Sequence, residues 1–342
     1  MFKKTSLTVL SIMTAAFTFT GCGGKTSAST KTPAVKNNDR LSIVCTIFPE
    51  YDWVREIMGD HAVEADITYL LDSGTDLHNY QPTASDMLKI STCDLFIHVG
   101  GESDKWVDDA LDEAVNKDMK VIDLMELLGD KTKVEELKEG MQEEEHEHDD
   151  EDEAEHEEEE HDEVEYDEHV WLSLRNAKVV CNEIADVLSE CDPKNAEDYK
   201  ANLSDYTSEL DSLDNDFKNI TSNAENKTLI FGDRFPFRYL FDDYGIDYYA
   251  AFVGCSAESE ASFETIKFLS GKVDELGCDT IFTLENSDKS IAEAVIKNSG
   301  NKNCEIGVLD SIQSITANDV KSGVSYLSLM QQNYDVLKKY ID

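Results

Sequence analysis

The chain has 342 residues, 40% of them hydrophobic and 30% charged, and a formal net charge of −43 at pH 7. That length suggests about two domains, and the apolar content is enough to build cores. Acidity on this scale excludes a nucleic-acid partner, whose phosphates require a basic surface, and is compatible with cations.

The first residues combine a basic pair, Lys3 and Lys4, with an apolar stretch from Leu7 to Phe19. The stretch is too short for a transmembrane span and reads as a secretion signal. It ends in Phe19-Thr20-Gly21-Cys22, which resembles a bacterial lipoprotein cleavage site, with lipid expected on the Cys22 thiol. Residues 23–39, rich in Gly, Ser, Thr, Lys and Asn, read as a flexible tether. Seven further cysteines form no CxxC pair, so their spacing gives no metal or disulfide framework.

From residue 40 onward, strands and helices alternate. Leu41–Phe48, Val63–Leu71, Asp94–Val99 and Lys120–Leu124 read as strands, with helices expected over Tyr51–Met58, Thr83–Ile90 and Lys105–Val115. Thr83 is a suitable N-cap, with Asp86 three residues on. The loop 72–82 between the second strand and the second helix is full of turn formers.

The composition then changes abruptly. Of the 26 residues from Glu143 to Glu168, 19 are Asp or Glu, four are His (His146, His148, His156, His161), and none is Lys or Arg. Like charges at this density keep a segment open and solvated, and a short His-rich tract reads as a metal collector.

Past the tract, Leu174–Leu188 reads as an amphipathic helix ended by Asp192-Pro193. A long polar helix follows, from about Asn195 to Ile220, with a thin apolar stripe and no Gly or Pro. The alternation then resumes. Strands are expected at Thr228–Gly232, Asp247–Val253, Thr280–Leu284 and Glu305–Leu309, with helices at Phe235–Tyr244, Phe263–Leu276, Lys289–Asn298 and Tyr326–Ile341. The expected fold is α/β, with two (β/α)4-type lobes of parallel sheet joined by a long rigid helix. A ligand belongs in the cleft at the carboxyl ends of the strands. The division expected is residues 40–172 for the first lobe (137–168 as its acidic loop), 173–222 for the connecting helices and 223–342 for the second lobe.

No nucleophile elbow, phosphate loop or dinucleotide fingerprint is present, so the chain starts poorly as an enzyme. His78 lies in the turn-rich loop before a helix, where ligand-binding residues are expected, and His169 joins the acidic tract to Val170-Trp171. His98, inside an apolar strand, and His61, in a turn, read as structural and surface residues respectively.

The segment TDLHNYQPTASDM at 75–87 resembles the D-x-H-x-Y-x-P-T-x-x-D signature of the ABC-transporter solute-binding proteins for zinc and manganese. DEHVWLSL at 167–174 resembles the same family's D-x-H-x-W-L-x-P signature, with Leu174 in place of Pro. The opening CTIFPEYDWV, the helix DPKNAEDYKANLSDYTSEL and the His-rich insertion between the two motifs match as well. The resemblance covers residues 41–342. It implies two lobes with a metal in the cleft, His78 and His169 as imidazole ligands, and Asp310 as a carboxylate ligand from the second lobe. It implies a lipid-anchored, monomeric receptor that hands its metal to a membrane permease driven by an ATPase subunit. It departs at LIFGDRFPFRYL, where the family's third histidine falls on Gly232 or Arg234, neither of which offers a donor atom. Asp233 is the nearest residue that could ligate, and Glu258, Glu260 and Glu285 are further candidates.

Imidazole with carboxylate suits Zn2+; Mn2+, the alternative, prefers a richer oxygen shell. A zinc hydrolase lacks support because no HExxH is present. A surface adhesin is the remaining alternative, and elemental analysis of protein purified without added metal separates it from a receptor. If the tract only collects metal, deleting residues 143–165 should remove weak extra zinc sites in a calorimetric titration and leave the tight site intact.

Overall fold

The structure is a computed structural model that describes residues 40–142, 165–222, 224–225, 227–256 and 260–341. Cys22, the four tract histidines and Glu258 lie outside the described residues.

In the first lobe, β1 (Ser42–Cys45), α1 (Phe48–Met58), β2 (Asp66–Tyr69), α2 (Ala84–Thr92), β3 (Leu95–His98), α3 (Trp106–Asp112), β4 (Lys120–Asp123) and α4 (Leu124–Leu128) follow in order. The four strands form one parallel sheet in the order β2-β1-β3-β4. The apolar runs LSIVCTIF and DLFIHV put Ile43, Val44, Leu95, Phe96 and Ile97 in the core, as expected for strands covered on both faces. Thr83 caps α2 reciprocally with Asp86: the Asp86 amide donates to Oγ1 (3.3 Å), and the Thr83 amide and hydroxyl donate to the Asp86 carboxylate (3.1 and 2.7 Å).

Two helices lead to the second lobe: α5 (Leu174–Cys191), stopped by Asp192-Pro193, and α6 (Ala196–Ser222). With 27 residues, α6 is about 40 Å long. Its buried stripe is Tyr199, Tyr206, Leu210, Leu213 and Phe217. Buried Asp214 accepts from Arg175 of α5 (3.2 Å) and from Tyr244 of α7 (Arg238–Tyr244; 3.0 Å), tying three helices together.

The second lobe holds β5 (Thr228–Ile230), β6 (Arg234–Phe235), α7, β7 (Asp247–Tyr249), β8 (Phe252–Val253), α8 (Phe263–Leu276), β9 (Thr280–Leu284), α9 (Ser290–Asn298), β10 (Glu305–Leu309), α10 (Ala317–Lys321) and α11 (Tyr326–Tyr340). β5 pairs with β7 and β9 with β10, all parallel, and a Phe231–Phe282 bridge joins the pairs. The resulting order β7-β5-β9-β10 repeats that of the first lobe. Two expectations shift. The helix expected from Phe235 begins at Arg238, because Pro236 disfavours helical backbone at the residue before it. The expected strand 247–253 is split into β7 and β8, and β8 pairs with β6.

One hydrophobic core runs through both lobes from Ile43 to Ile341, with a smaller cluster between β5, β9, α8 and α9. The C-terminal helix α11 crosses back to the first lobe. Tyr326 packs edge-on against Trp53 (5.1 Å between centroids), a geometry worth about 0.5–1.5 kcal/mol beyond burial. Its hydroxyl donates to the Trp171 carbonyl (2.6 Å) and its amide to Asp52 (2.7 Å).

The last two residues of the acidic tract are not solvated. Asp167 and Glu168 are 2% and 1% exposed, because each is hydrogen-bonded at the cleft. The outgoing strap is fixed to the second lobe by Glu136–Arg238 and Lys138–Asp247 ion pairs and by the Gln142 amide on the Ala251 carbonyl (3.0 Å). The returning strand pairs with it at Val134–Tyr166.

Burial pushes the Asp52 carboxyl up to about 7, against the Tyr326 amide bond that lowers it. The folded state therefore holds this proton more tightly than the unfolded chain, and stability falls as pH rises from about 4 to about 7. Asp52→Asn should gain on the order of 2 kcal/mol over the parent between about pH 5 and pH 8, read by denaturant unfolding. An unchanged difference would contradict the assignment.

Candidate metal centre

Both motif histidines are set by the same local device. In Asp76-Leu77-His78 the Asp76 Oδ1 accepts the His78 amide at 3.0 Å; in Asp167-Glu168-His169 the Asp167 Oδ1 accepts the His169 amide at 2.9 Å. These Asx turns fix the backbone so that each imidazole leaves the loop in one direction. This is the physical content of the D-x-H spacing.

Each ring is then held through Nδ1. His169 Nδ1 lies 3.0 Å from Asp167 Oδ1, and the side chain is fully buried. His78 Nδ1 lies 2.8 Å from Ser103 Oγ and 3.4 Å from Glu168 Oε2. A carboxylate oxygen accepts, so His169 Nδ1 donates to Asp167 and its Nε2 keeps the lone pair; His78 does the same when its Nδ1 donates to the Ser103 oxygen. Burial pushes Glu168 up, but its bonds to His78 and Ser103 outweigh it and hold the carboxyl below its ordinary value. Carboxylates behind imidazoles fix tautomer and orientation and raise the basicity of the free nitrogen.

The two Nε2 atoms converge to 3.3 Å. At this distance the two nitrogens either share one hydrogen or, with both lone pairs free, repel until a cation stands between them. Two nitrogens bound at about 2.0–2.1 Å to one tetrahedral zinc stand about 3.3–3.4 Å apart, so the spacing fits that ion. The second lobe brings a sulfur close: Cys255 Sγ and one nitrogen of each imidazole all lie within 4.8 Å of one another. His78 and Cys255 open onto a cavity of about 270 Å3 that also receives Glu102, Glu135, Glu165 and Glu168. Burial, then Asp167 and Glu135, push the Cys255 thiol well above its ordinary value, so a metal arriving there must displace its proton.

The other sequence candidates are placed differently. Among the described residues Asp310 does not join this cluster: its Oδ1 accepts the Ile312 amide at 2.7 Å, and burial, then Glu285, push it up. It is held nearby, because the next residue, Ser311, accepts from the Trp171 indole (3.0 Å), and Trp171 packs on His169. Glu285 accepts the Ser311 amide and hydroxyl, and Glu260 is exposed. The Asp233 carboxylate accepts the Arg234 and Leu284 amides at 2.9 and 3.1 Å. No side chain fits at Gly232, where a Cβ would stand 2.6 Å from Ala292 Cα. Arg234 crosses the cleft to form an ion pair with Asp76, whose other oxygen holds His78. His98 lies 3.4 Å from Asp104 and His61 2.9 Å from Asp198, both away from this cluster. Sequence reasoning missed Cys255 and the Arg234–Asp76 bridge. The available signal for Cys255 was its place in a Gly-Cys turn just past a strand of the second lobe.

The family model described as "Zinc-uptake complex component A periplasmic" matches residues 43–340. The chain is 31% identical over 303 residues to the zinc-binding lipoprotein AdcA of Streptococcus pneumoniae, covering 89% of this chain and 56% of that one. It thus spans little more than half the length of that relative. It is 30% identical over 338 residues to the high-affinity zinc uptake system protein ZnuA of Bacillus subtilis, covering 99% and 98% of the two chains. The solved structure of the Zn(II)-bound ZnuA-like domain of Streptococcus pneumoniae AdcA matches with a TM-score of 0.67 at 28% identity, covering 89% of this chain and 99% of that one. With nearly all of its folded length matched by the family model and its two histidine motifs meeting in the cleft, the chain belongs to the zinc-uptake complex component A family.

Proposed function

We propose that this chain is the extracytoplasmic receptor of an ABC importer for Zn2+, binding the ion in the interlobe cleft and delivering it to a membrane permease coupled to an ATPase subunit. The observation that carries the reading is the convergence of two carboxylate-backed imidazoles with their free Nε2 atoms 3.3 Å apart. The relatives named for zinc binding and zinc uptake support the same cargo. Neutral imidazole prefers Zn2+ to Mn2+, which favours an oxygen-rich shell.

In this reading the chain works as a monomer. Cys22 carries the lipid anchor, residues 23–39 tether the body to the membrane, and residues 40–172 and 223–342 form the lobes on either side of the helices 173–222. Asp310 adds a carboxylate from the end of β10 after giving up its bond to the Ile312 amide. His146, His148, His156 and His161 act as an accessory collector. Both ends of their tract, Gln142 and Glu165, lie in segments fixed at the cleft, so ions gathered there are released beside the site. The family relationship argues for a transport receptor rather than an enzyme.

His78→Ala and His169→Ala should each abolish tight zinc binding in calorimetry while leaving weak tract binding in place. Because protons compete for the same nitrogens, zinc affinity should be at least ~10-fold weaker at about pH 5 than at about pH 7.5. Equal affinity at the two pH values would rule out the paired-imidazole site.

A further inference from the structure

We propose that Cys255 is a second-lobe ligand of this site, so that the cleft offers a thiolate where related receptors offer a third histidine, and that this ligand sets the site's preference for thiophilic d10 cations, Zn2+ and Cd2+, over Mn2+. The inference rests on the receptor reading above and deepens it by naming a donor and the selectivity that follows.

Three observations carry it. First, among the described His, Cys, Asp and Glu side chains of the second lobe, only this sulfur clusters within 4.8 Å of a nitrogen from each imidazole. A tetrahedral zinc with Zn–S of about 2.3 Å and Zn–N of about 2.0–2.1 Å needs N···S separations of about 3.5 Å, which a shift of about 1 Å supplies. Second, the position expected for the third histidine is closed: Gly232 has no room for a side chain, and Arg234 is committed to Asp76. The cleft therefore lacks a nitrogen from β5 or its following loop. Third, the turn that presents the thiol is built for close approach. A Cβ at Gly254 would stand 2.8 Å from the Phe235 carbonyl oxygen and 3.2 Å from Cε1 and Nδ1 of His169, so glycine lets the backbone lie against that edge of the imidazole and brings the next residue beside the ring. The Cys255 amide is held by Glu135 at 3.0 Å, on the strap that leads into the acidic tract.

Coordination is balanced simply: the arriving cation forms the metal–sulfur bond and the thiol proton leaves to solvent. Thiolate is a soft donor, so adding it to two imidazoles favours Zn2+ and Cd2+ and leaves little for Mn2+. Because His78 and His169 belong to the first lobe and Cys255 to the second, the metal–sulfur bond also closes the cleft around its cargo.

The test is to load the full chain with one equivalent of Co2+ and read the near-ultraviolet thiolate-to-metal charge-transfer band, in the parent, Cys255→Ser and Gly254→Ala, alongside zinc competition titrations. The parent should show the band. Cys255→Ser should lose it and lose zinc affinity by more than the ~10–100-fold typical of removing an outer-shell partner. The preference for Cd2+ over Mn2+ should shrink in the same variant. Gly254→Ala should keep the thiol but bind zinc more weakly. Should Cys255→Ser fail to fold, alkylation of the native parent, mapped to the Cys255 peptide, decides: zinc must protect that thiol. Tight zinc binding with no charge-transfer band, or an unprotected Cys255, overturns the thiolate ligand and leaves the receptor reading standing. A parent that binds no zinc overturns both.

Discussion

Everything at the cleft depends on carboxylates placed behind imidazoles. Asp167 uses one oxygen for both the amide and the ring of His169, and Glu168 with Ser103 holds the ring of His78. Two buried rings would otherwise rotate or pair with each other through a shared proton. Held this way, both present acceptors to one point, and the cost of that arrangement is offset when a cation arrives. The same carboxylates close the acidic tract, so its last two residues are structural parts of the site.

The scaffold holds these loops still. His78 follows β2 and is braced across the cleft by Arg234 on Asp76; His169 is locked by Trp171, which reaches Ser311 and Tyr326 in the other half of the molecule. The core continues through both lobes, and α6 runs 27 residues without a helix breaker, so large hinge opening would expose apolar surface at about 25 cal/mol per Å2. In the receptor proposed above, local movement of the second-lobe turn at Gly254-Cys255 and of Asp310 is the less costly way to take up and release a metal.

Much of this was legible in the sequence. Strand and helix alternation, the Thr83–Asp86 cap, the stop at Asp192-Pro193 and the two histidine motifs are local patterns, and local patterns are readable. The failures were also physical. Pro236 and the short β6–β8 pair altered the start of α7 and split one strand, because tertiary pairing outweighed apolar periodicity. Cys255 could not be found from spacing, since its partners lie far away along the chain and only folding brings them together. Arg234 read as a residue that cannot ligate, which is correct; its pairing with Asp76 across the cleft was invisible without the fold. Asp167 and Glu168 looked like the end of a solvated charge run, and their burial follows from hydrogen bonds that composition does not reveal.

The central claim is that one cation sits between Nε2 of His78 and Nε2 of His169. Anomalous diffraction at the zinc edge from crystals of the full chain loaded with one equivalent of zinc tests it directly. The account predicts one dominant peak about 2.0–2.1 Å from both nitrogens. A dominant peak elsewhere, with the two imidazoles still facing each other across an unfilled gap, would contradict it.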